Sequence, residues 1–338
     1  MFFEKNKISY TSTGGWIGFT DKYWLTALLP DQQSPITANF RGAIKNGHNT
    51  YQTDYIGPAY TVQPTQSIET TQRFFAGAKV VDLLDDYSGT LRIPYFDKAV
   101  DFGWFYFITK PIFYAVSYFY ELLGNFGLAI MLLTILIRLA FFPLANKSYH
   151  SMQRMKKFQP EIKRLQELYK DDKMKLQQET MAFYKKNKIN PVSGCLPILV
   201  QLPVFFALYK VLFVTLEMRH APFYGWIKDL SAPDPTSLFN LFGLISWTPP
   251  SFLMIGALPL LMGATMIIQQ KMNPAPMDPV QAKVFLIMPI FFTYLLAQFP
   301  AGLVLYWTWS NLLAITQQWF IMHYGHKLKF FKKKRLSN

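Results

Sequence analysis

Cysteine is nearly absent. Cys195 is the only one in 338 residues, so no intrachain disulfide can form and every domain must rest on its own core. Val192-Ser-Gly-Cys195 has the look of a lipoprotein cleavage box. Its internal position excludes that role, because no N-terminal apolar region precedes it, and Cys195 is read as a small packing residue. Histidine is sparse, with five residues, none inside a long apolar run. No H-E-x-x-H and no G-x-x-x-x-G-K-[ST] occur, which removes the two best-defined motifs for zinc hydrolysis and nucleotide chemistry. Acidic residues are missing from every long apolar run. Zinc-finger spacing and RNP-like strands are also lacking, so the net charge of +14 has no nucleic-acid module to serve. The first thirty residues hold no signal peptide. Since the topology below exports the N-terminal part, the expectation is an upstream export segment absent from this stretch, through a fragment or a late start.

What is present is apolar. The chain is 51% hydrophobic, 17% aromatic and 16% charged, and its apolar residues gather after position 100, behind a more polar N-terminal module. Runs long enough to cross about 30 Å of hydrocarbon lie at 127–144, 196–215, 252–269, 284–299 and 302–322, the third and fourth being short. Residues 145–195 carry twelve Lys/Arg against five Asp/Glu, and 323–338 carry six against none. Basic residues flanking spans mark the cytoplasmic side. Five spans and an inside C-terminus put residues 1–95 outside. Residues 96–123 are aromatic but broken by charges and Pro111, which suits an amphipathic helix in the outer interface, whereas the rival reading, a sixth span, requires burying several charges; Phe102, Phe105, Tyr106, Ile112, Phe113 and Val116 are expected to share its face.

Residues 1–95 read as β structure. Short runs at Trp16–Phe19, Tyr51–Tyr55, Tyr60–Val62 and Arg73–Gly77 are separated by turn formers, and His48 sits in a turn context. Residues 146–188 read as two amphipathic helices joined at Asp171-Asp172. Met152, Met155, Phe158, Ile162, Leu165 and Tyr169 form one stripe and Met174, Met181 and Tyr184 begin another, which predicts an antiparallel helical hairpin.

Arg138 stands alone in the first apolar run. A guanidinium does not deprotonate in a protein, and placing it at mid-helix in a bilayer costs roughly 2.5–3.5 kcal/mol on insertion scales. Such a residue either snorkels to the headgroups or faces a hydrated cavity that receives a transient anionic guest. Thr134 shares its helical face. Gln201, Gln269, Gln270, Tyr306, Trp307, Ser310 and Asn311 supply polar groups in other spans, where interhelical hydrogen bonding is their ordinary use.

The assembled pattern resembles the YidC/Oxa/Albino family of membrane protein insertases, in its Gram-negative bacterial form. The residues that carry the resemblance are Ile137-Arg138, Pro143-Leu144, Gln159-Pro160, Asn190-Pro-Val-Ser-Gly-Cys-Leu-Pro197, Gln201-Leu-Pro203, Arg219-His-Ala-Pro222, Trp226-Ile-Lys-Asp-Leu-Ser231, Gln270-Lys-Met-Asn-Pro274, Met288-Pro289 and Phe299-Pro-Ala-Gly-Leu-Val-Leu-Tyr-Trp307. The family's first transmembrane helix and the start of its periplasmic domain have no counterpart in this stretch. The resemblance implies an α-helical integral membrane protein of the bacterial inner membrane. It has a five-helix transmembrane core at 124–322, a cytoplasmic helical hairpin at 145–195, a basic cytoplasmic tail at 323–338 and a partial periplasmic β-sandwich domain at 1–95. It further implies a hydrophilic groove lined by Arg138, Thr134, Gln201, Gln270, Tyr306 and Trp307, and a ribosome- or lipid-contacting segment at Lys332, Lys333, Lys334 and Arg335. The implied partners are nascent membrane proteins, the Sec translocase complex including SecD, the ribosome and anionic lipids. Neither enzymatic chemistry nor a cofactor is implied. The rival readings are a secondary transporter or channel, which calls for paired repeats or broken helices, and an intramembrane enzyme.

Overall fold

The structure is a computed structural model that describes residues 7–170, 172–187, 196–273 and 279–335. It divides into two compact units: Met1–Trp104 with Val214–Glu217, and Phe105–Phe213 with Met218–Asn338.

The first unit is built on two three-stranded antiparallel sheets. Its strands are β1 (Ile8–Thr13), β2 (Ile17–Thr20), β3 (Trp24–Leu29), β4 (Pro35–Lys45), β5 (His48–Ile56) and β6 (Arg73–Ala78). One sheet has the order β1-β4-β5 and the other β2-β3-β6. Alternation explains β3: Leu25, Ala27 and Leu29 are buried while Trp24 and Thr26 face out, the period of a half-buried strand. Between β4 and β5, Asn46 and Gly47 both take positive φ, 55° and 78°. That is the two-residue turn whose twist matches a tight hairpin, and it pairs Lys45 with His48. The expected strand at Tyr60–Val62 does not form; the segment is exposed and irregular, with Pro58 and Pro64 on either side interrupting any ladder.

A helix, α1 (Val81–Thr90), stands where the sequence suggested more β structure. Its Val80 cap offers no side-chain acceptor; instead Glu217 Oε1 accepts from the Val81 N–H at 3.2 Å, across 136 residues. Phe75 and Trp16 meet Phe96 edge-to-face at 5.5 and 5.8 Å, and Leu84, Ile93 and Phe96 are fully buried.

The second unit is helical: α2 (Tyr106–Leu123), α3 (Phe126–Ala140), α4 (Phe142–Lys157), α5 (Gln159–Leu168), α6 (Lys173–Lys186), α7 (Leu196–Val214), α8 (Ala257–Met272), α9 (Pro279–Leu296) and α10 (Ala301–Arg335). Ile112, Phe113 and Val116 are buried as one face of α2, whereas Phe105 and Phe107 are exposed. α2 ends at Gly124, which takes the left-handed φ of 66° that favours glycine. Tyr120 then stacks on Phe126 at 3.8 Å.

The first apolar run is not one straight helix. It breaks between α3 and α4, which are bent by 66°. Pro143 is the cause: it occupies the first turn of α4, where its missing N–H costs nothing, but it would clash inside a continuing helix. Pro160 acts likewise at the start of α5. The Met152–Tyr169 stripe is therefore divided. Met152 packs with Tyr149 and Ile321 of α10, while Met155, Phe158 and Phe183 surround Ile162 and Tyr184 between α5 and α6. Asp172 caps α6, accepting from the Lys175 N–H at 2.9 Å.

Among the described residues no single helix is long and apolar enough to cross a membrane; the bent pair α3–α4 passes by length and composition, and Gln201–Val214 and Ala282–Leu296 are shorter apolar helices. The last run, expected to end at 322, continues as helix to Arg335. No proline interrupts it, and its terminal lysines are good helix formers.

Candidate functional site

Arg138 lies near the C-terminal end of α3. Its Nη2 donates to the Ser310 hydroxyl of α10 at 2.8 Å, and Gln201 Nε2 of α7 donates to the same oxygen at 3.0 Å. The Tyr306 hydroxyl of α10 lies beside Ser310 and Gln201, and the Tyr149 hydroxyl of α4 lies beside the guanidinium. Four helices thus converge on one cation. The bend at Pro143 is what turns Tyr149 back toward Arg138.

Beside this network is a cavity of about 60 Å³, walled by Thr134, Ile137, Phe141, Leu144, Ala145, Gln201, Val204, Tyr306, Ser310 and Gln317 as well as Arg138. Roughly 10–15 Å³ suffices for one water, so the space admits a small hydrated cluster. Arg138 Nε and Gln317 Nε2 are buried without a hydrogen-bond partner, and buried donors of that kind call for water or a guest. No carboxylate among the described residues pairs with Arg138. The arrangement offers positive charge and free donors inside an apolar shell, which suits transient binding of an anionic or carbonyl-rich segment.

Of the residues singled out by sequence, Arg138, Thr134, Gln201 and Tyr306 share this cavity. Thr134 contributes its wall only, because its hydroxyl donates to the Ile130 carbonyl at 2.7 Å. Trp307 points elsewhere, packing edge-on to Phe205 at 4.7 Å and against Phe292 at 5.6 Å. Gln270 is half-buried on α8 and does not line the cavity. The side chains of Lys332, Lys333, Lys334 and Arg335 lie outside the described residues, as does Cys195. Sequence reasoning named Ser310 only among the polar groups of the other spans, and did not name Gln317 or Tyr149. The first two were findable, since positions 306, 310 and 317 recur on one face of α10; Tyr149 was not, because only the bend brings it in.

The opposite end of the unit is closed by the loop after α7. Asp234 is buried and accepts from Leu258 N–H at 2.8 Å, Thr236 N–H at 2.9 Å and Trp226 Nε1 at 3.3 Å, which caps α8. The N–H groups of Ala301 and Gly302 donate to the Ala232 and Leu230 carbonyls at 2.7 and 2.9 Å, satisfying the start of α10. Asn125 caps α3 through Leu128 N–H at 3.1 Å and donates to the Pro222 carbonyl at 3.2 Å.

Comparison with known proteins gives the family. Residues 118–328 match the family described as 60Kd inner membrane protein, and residues 3–115 match the YidC periplasmic domain. The protein called membrane protein insertase YidC from Rickettsia rickettsii (strain Sheila Smith) is 59% identical over 318 residues, 94% of this chain and 57% of the relative. Its namesake from Rickettsia bellii (strain OSU 85-389) is 60% identical over the same shares. The chain therefore spans a little over half the length of these relatives. A solved structure, described as an active YidC insertase crystal structure with the first transmembrane domain resolved, is similar in fold with a TM-score of 0.52 at 20% identity, covering 95% of this chain and 80% of that one. The helical part and the N-terminal part with β-sheets each match a model of this family, and the chain belongs to the 60Kd inner membrane protein family.

Proposed function

We propose that this chain is the insertase core of a bacterial inner-membrane protein. It receives nascent membrane proteins in a hydrophilic groove and releases their apolar segments into lipid, both alone and together with the Sec translocase. In this reading the apolar helices form a five-helix core, α5 and α6 are its cytoplasmic hairpin, residues 1–95 are periplasmic and the basic tail reaches ribosomes and anionic lipids. The observation that carries the reading is Arg138, a permanent cation held by Ser310 beside a cavity, with no carboxylate partner among the described residues. A fixed positive charge part-way through the bilayer attracts the acidic tail of a substrate and shortens its dehydrated path. No bond is made or broken, so the activity is transport and chaperoning and not enzymatic chemistry. The names of the relatives support this assignment.

Photocrosslinking tests it. Probes at Thr134 and Tyr306, which wall the cavity, should capture a stalled nascent membrane protein. A probe at Leu312, exposed on α10, should capture lipid instead. Equal yields from all three positions would remove the groove from the mechanism. A transporter reading draws on the bend between α3 and α4, since broken helices host solute sites; solute flux in sealed vesicles that depends on Arg138 would favour it.

A further inference from the structure

The loop between α7 and α8 carries an apolar tip that neither the cavity nor the helix capping explains. From Pro235 to Gln270 the sequence holds no charged residue. Within it, Leu241, Phe242, Leu244, Ile245, Trp247 and Phe252 are all exposed, Leu244 at 85%. A patch of this kind on a protein surface marks a contact with something apolar.

The backbone of the tip is tied to itself. Leu238 N–H donates to the Ile255 carbonyl at 2.9 Å, Phe242 N–H to Ser237 at 2.8 Å and Ile245 N–H to Asn240 at 3.1 Å. The Ser237 hydroxyl closes the neck by donating to the Leu253 carbonyl at 3.0 Å, and Asn240 Oδ1 accepts from Gly243 N–H at 3.1 Å. Leu241 and Phe242 hold left-handed backbone angles, with φ of 49° and 58°, a conformation that bulky side chains rarely adopt. Self-satisfied polar groups are what an irregular segment needs when it leaves water.

We propose that this tip, residues 238–252, is a membrane anchor that embeds its aromatic and aliphatic side chains in the interfacial layer of the outer leaflet. Lipid is the occupant the structure favours. The charge-free stretch runs without interruption into α8, so the tip is continuous with a helix already assigned to the bilayer. Trp247 and the phenylalanines are residues suited to headgroup depth. The anchor rests on the reading of α8 as a membrane span. Its consequence is mechanical: the loop that caps α8 and α10 is also held at the bilayer surface, so the outer ends of both helices are fixed in depth.

The test uses the full chain in proteoliposomes, on a Cys195→Ser background, with a polarity-sensitive fluorophore on single cysteines. Leu244→Cys and Trp247→Cys report the tip, Leu261→Cys reports the exposed side of α8 and Thr65→Cys reports a water-exposed position of the first unit. Phosphatidylcholine spin-labelled high on its acyl chain should quench the tip probes about twofold more than the same lipid labelled near the chain end, and aqueous iodide should barely reach them. Quenching at Leu261 with tip probes that behave like Thr65 overturns the anchor and leaves the span intact. Loss of lipid quenching at Leu261 as well overturns the span itself. Tip probes that are shielded from iodide yet indifferent to both spin-labelled lipids identify a protein contact, which also overturns the proposal.

Discussion

Ser310 accepts from two donors on two other helices, Arg138 on α3 and Gln201 on α7, and its removal strands both. An unsatisfied buried donor costs about 1–3 kcal/mol, with water in the cavity keeping the effect toward the lower end. Ser310→Ala should therefore lower the thermal midpoint in detergent. Gln201→Leu should cost less on that background than alone, because the pair shares one acceptor; additive losses would separate the two bonds. Glu217 makes a second prediction at this scale. Burial raises its pKa above the ordinary 4.5, Asp82 adds repulsion, and the backbone N–H bonds only partly offset them. The protonated form is the one the fold prefers. Its contribution is complete below the ordinary value and is lost as pH rises through the higher folded one. Protection of the amides around Val81, taken as the ratio of intrinsic to observed exchange, should fall from acid to neutral pH, and Glu217→Gln, which keeps the acceptor, should flatten that dependence. Of these residues Arg138 was legible in the sequence, since a guanidinium within an apolar run demands an account. Ser310 was visible as one more polar side chain on the last helix, with nothing to rank it above Asn311, which bonds Thr265 at 3.1 Å instead. Nothing in the sequence singles out Glu217, because its partner Val81 lies 136 residues away.

At the scale of elements, close approach is written in glycine. A Cβ on Gly127 would lie 2.1 Å from the Phe223 ring, so α3 meets the capping loop with no space for a side chain. Gly127→Val should destabilise by roughly 1–3 kcal/mol, the usual cost of overpacking. Phe223→Leu in the same chain should restore part of the loss, and thermal unfolding of the single and double variants reads both; no rescue would place the strain elsewhere. Periodicity marked the apolar and amphipathic stretches as helical, because their patterns repeat over many residues. It misplaced the joints. Pro143 and Pro160 were visible, but whether a proline bends, breaks or merely opens a helix depends on packing that the pattern does not contain. The short helix α1 escaped for a related reason: ten residues with three aspartates form a weak isolated helix, and its cap comes from Glu217, far along the chain.

For the whole molecule, the proposed orientation and partners rest on charge distribution. Deleting residues 323–338 removes six basic residues, each worth about 1 kcal/mol beside an anionic surface. Association with anionic vesicles or ribosomes should weaken, added salt should reproduce the deletion, and the thermal midpoint should stay put. A salt-insensitive association would assign the contact to another surface. The central claim is electrostatic capture at Arg138, and insertion of matched substrates tests it most directly. Vesicles carry the original chain, Arg138→Lys or Arg138→Ala at equal protein level, and each substrate is supplied with or without carboxylates in its translocated tail. If a positive charge in a wet groove is what matters, Lys retains much of the insertion and Ala does not. The loss with Ala is then larger for the acidic tail and shrinks when that tail is neutralised, in graded fashion because water screens the attraction. Equal losses for both tails, or a lysine variant as impaired as alanine, would contradict capture and leave Arg138 as the structural partner of Ser310.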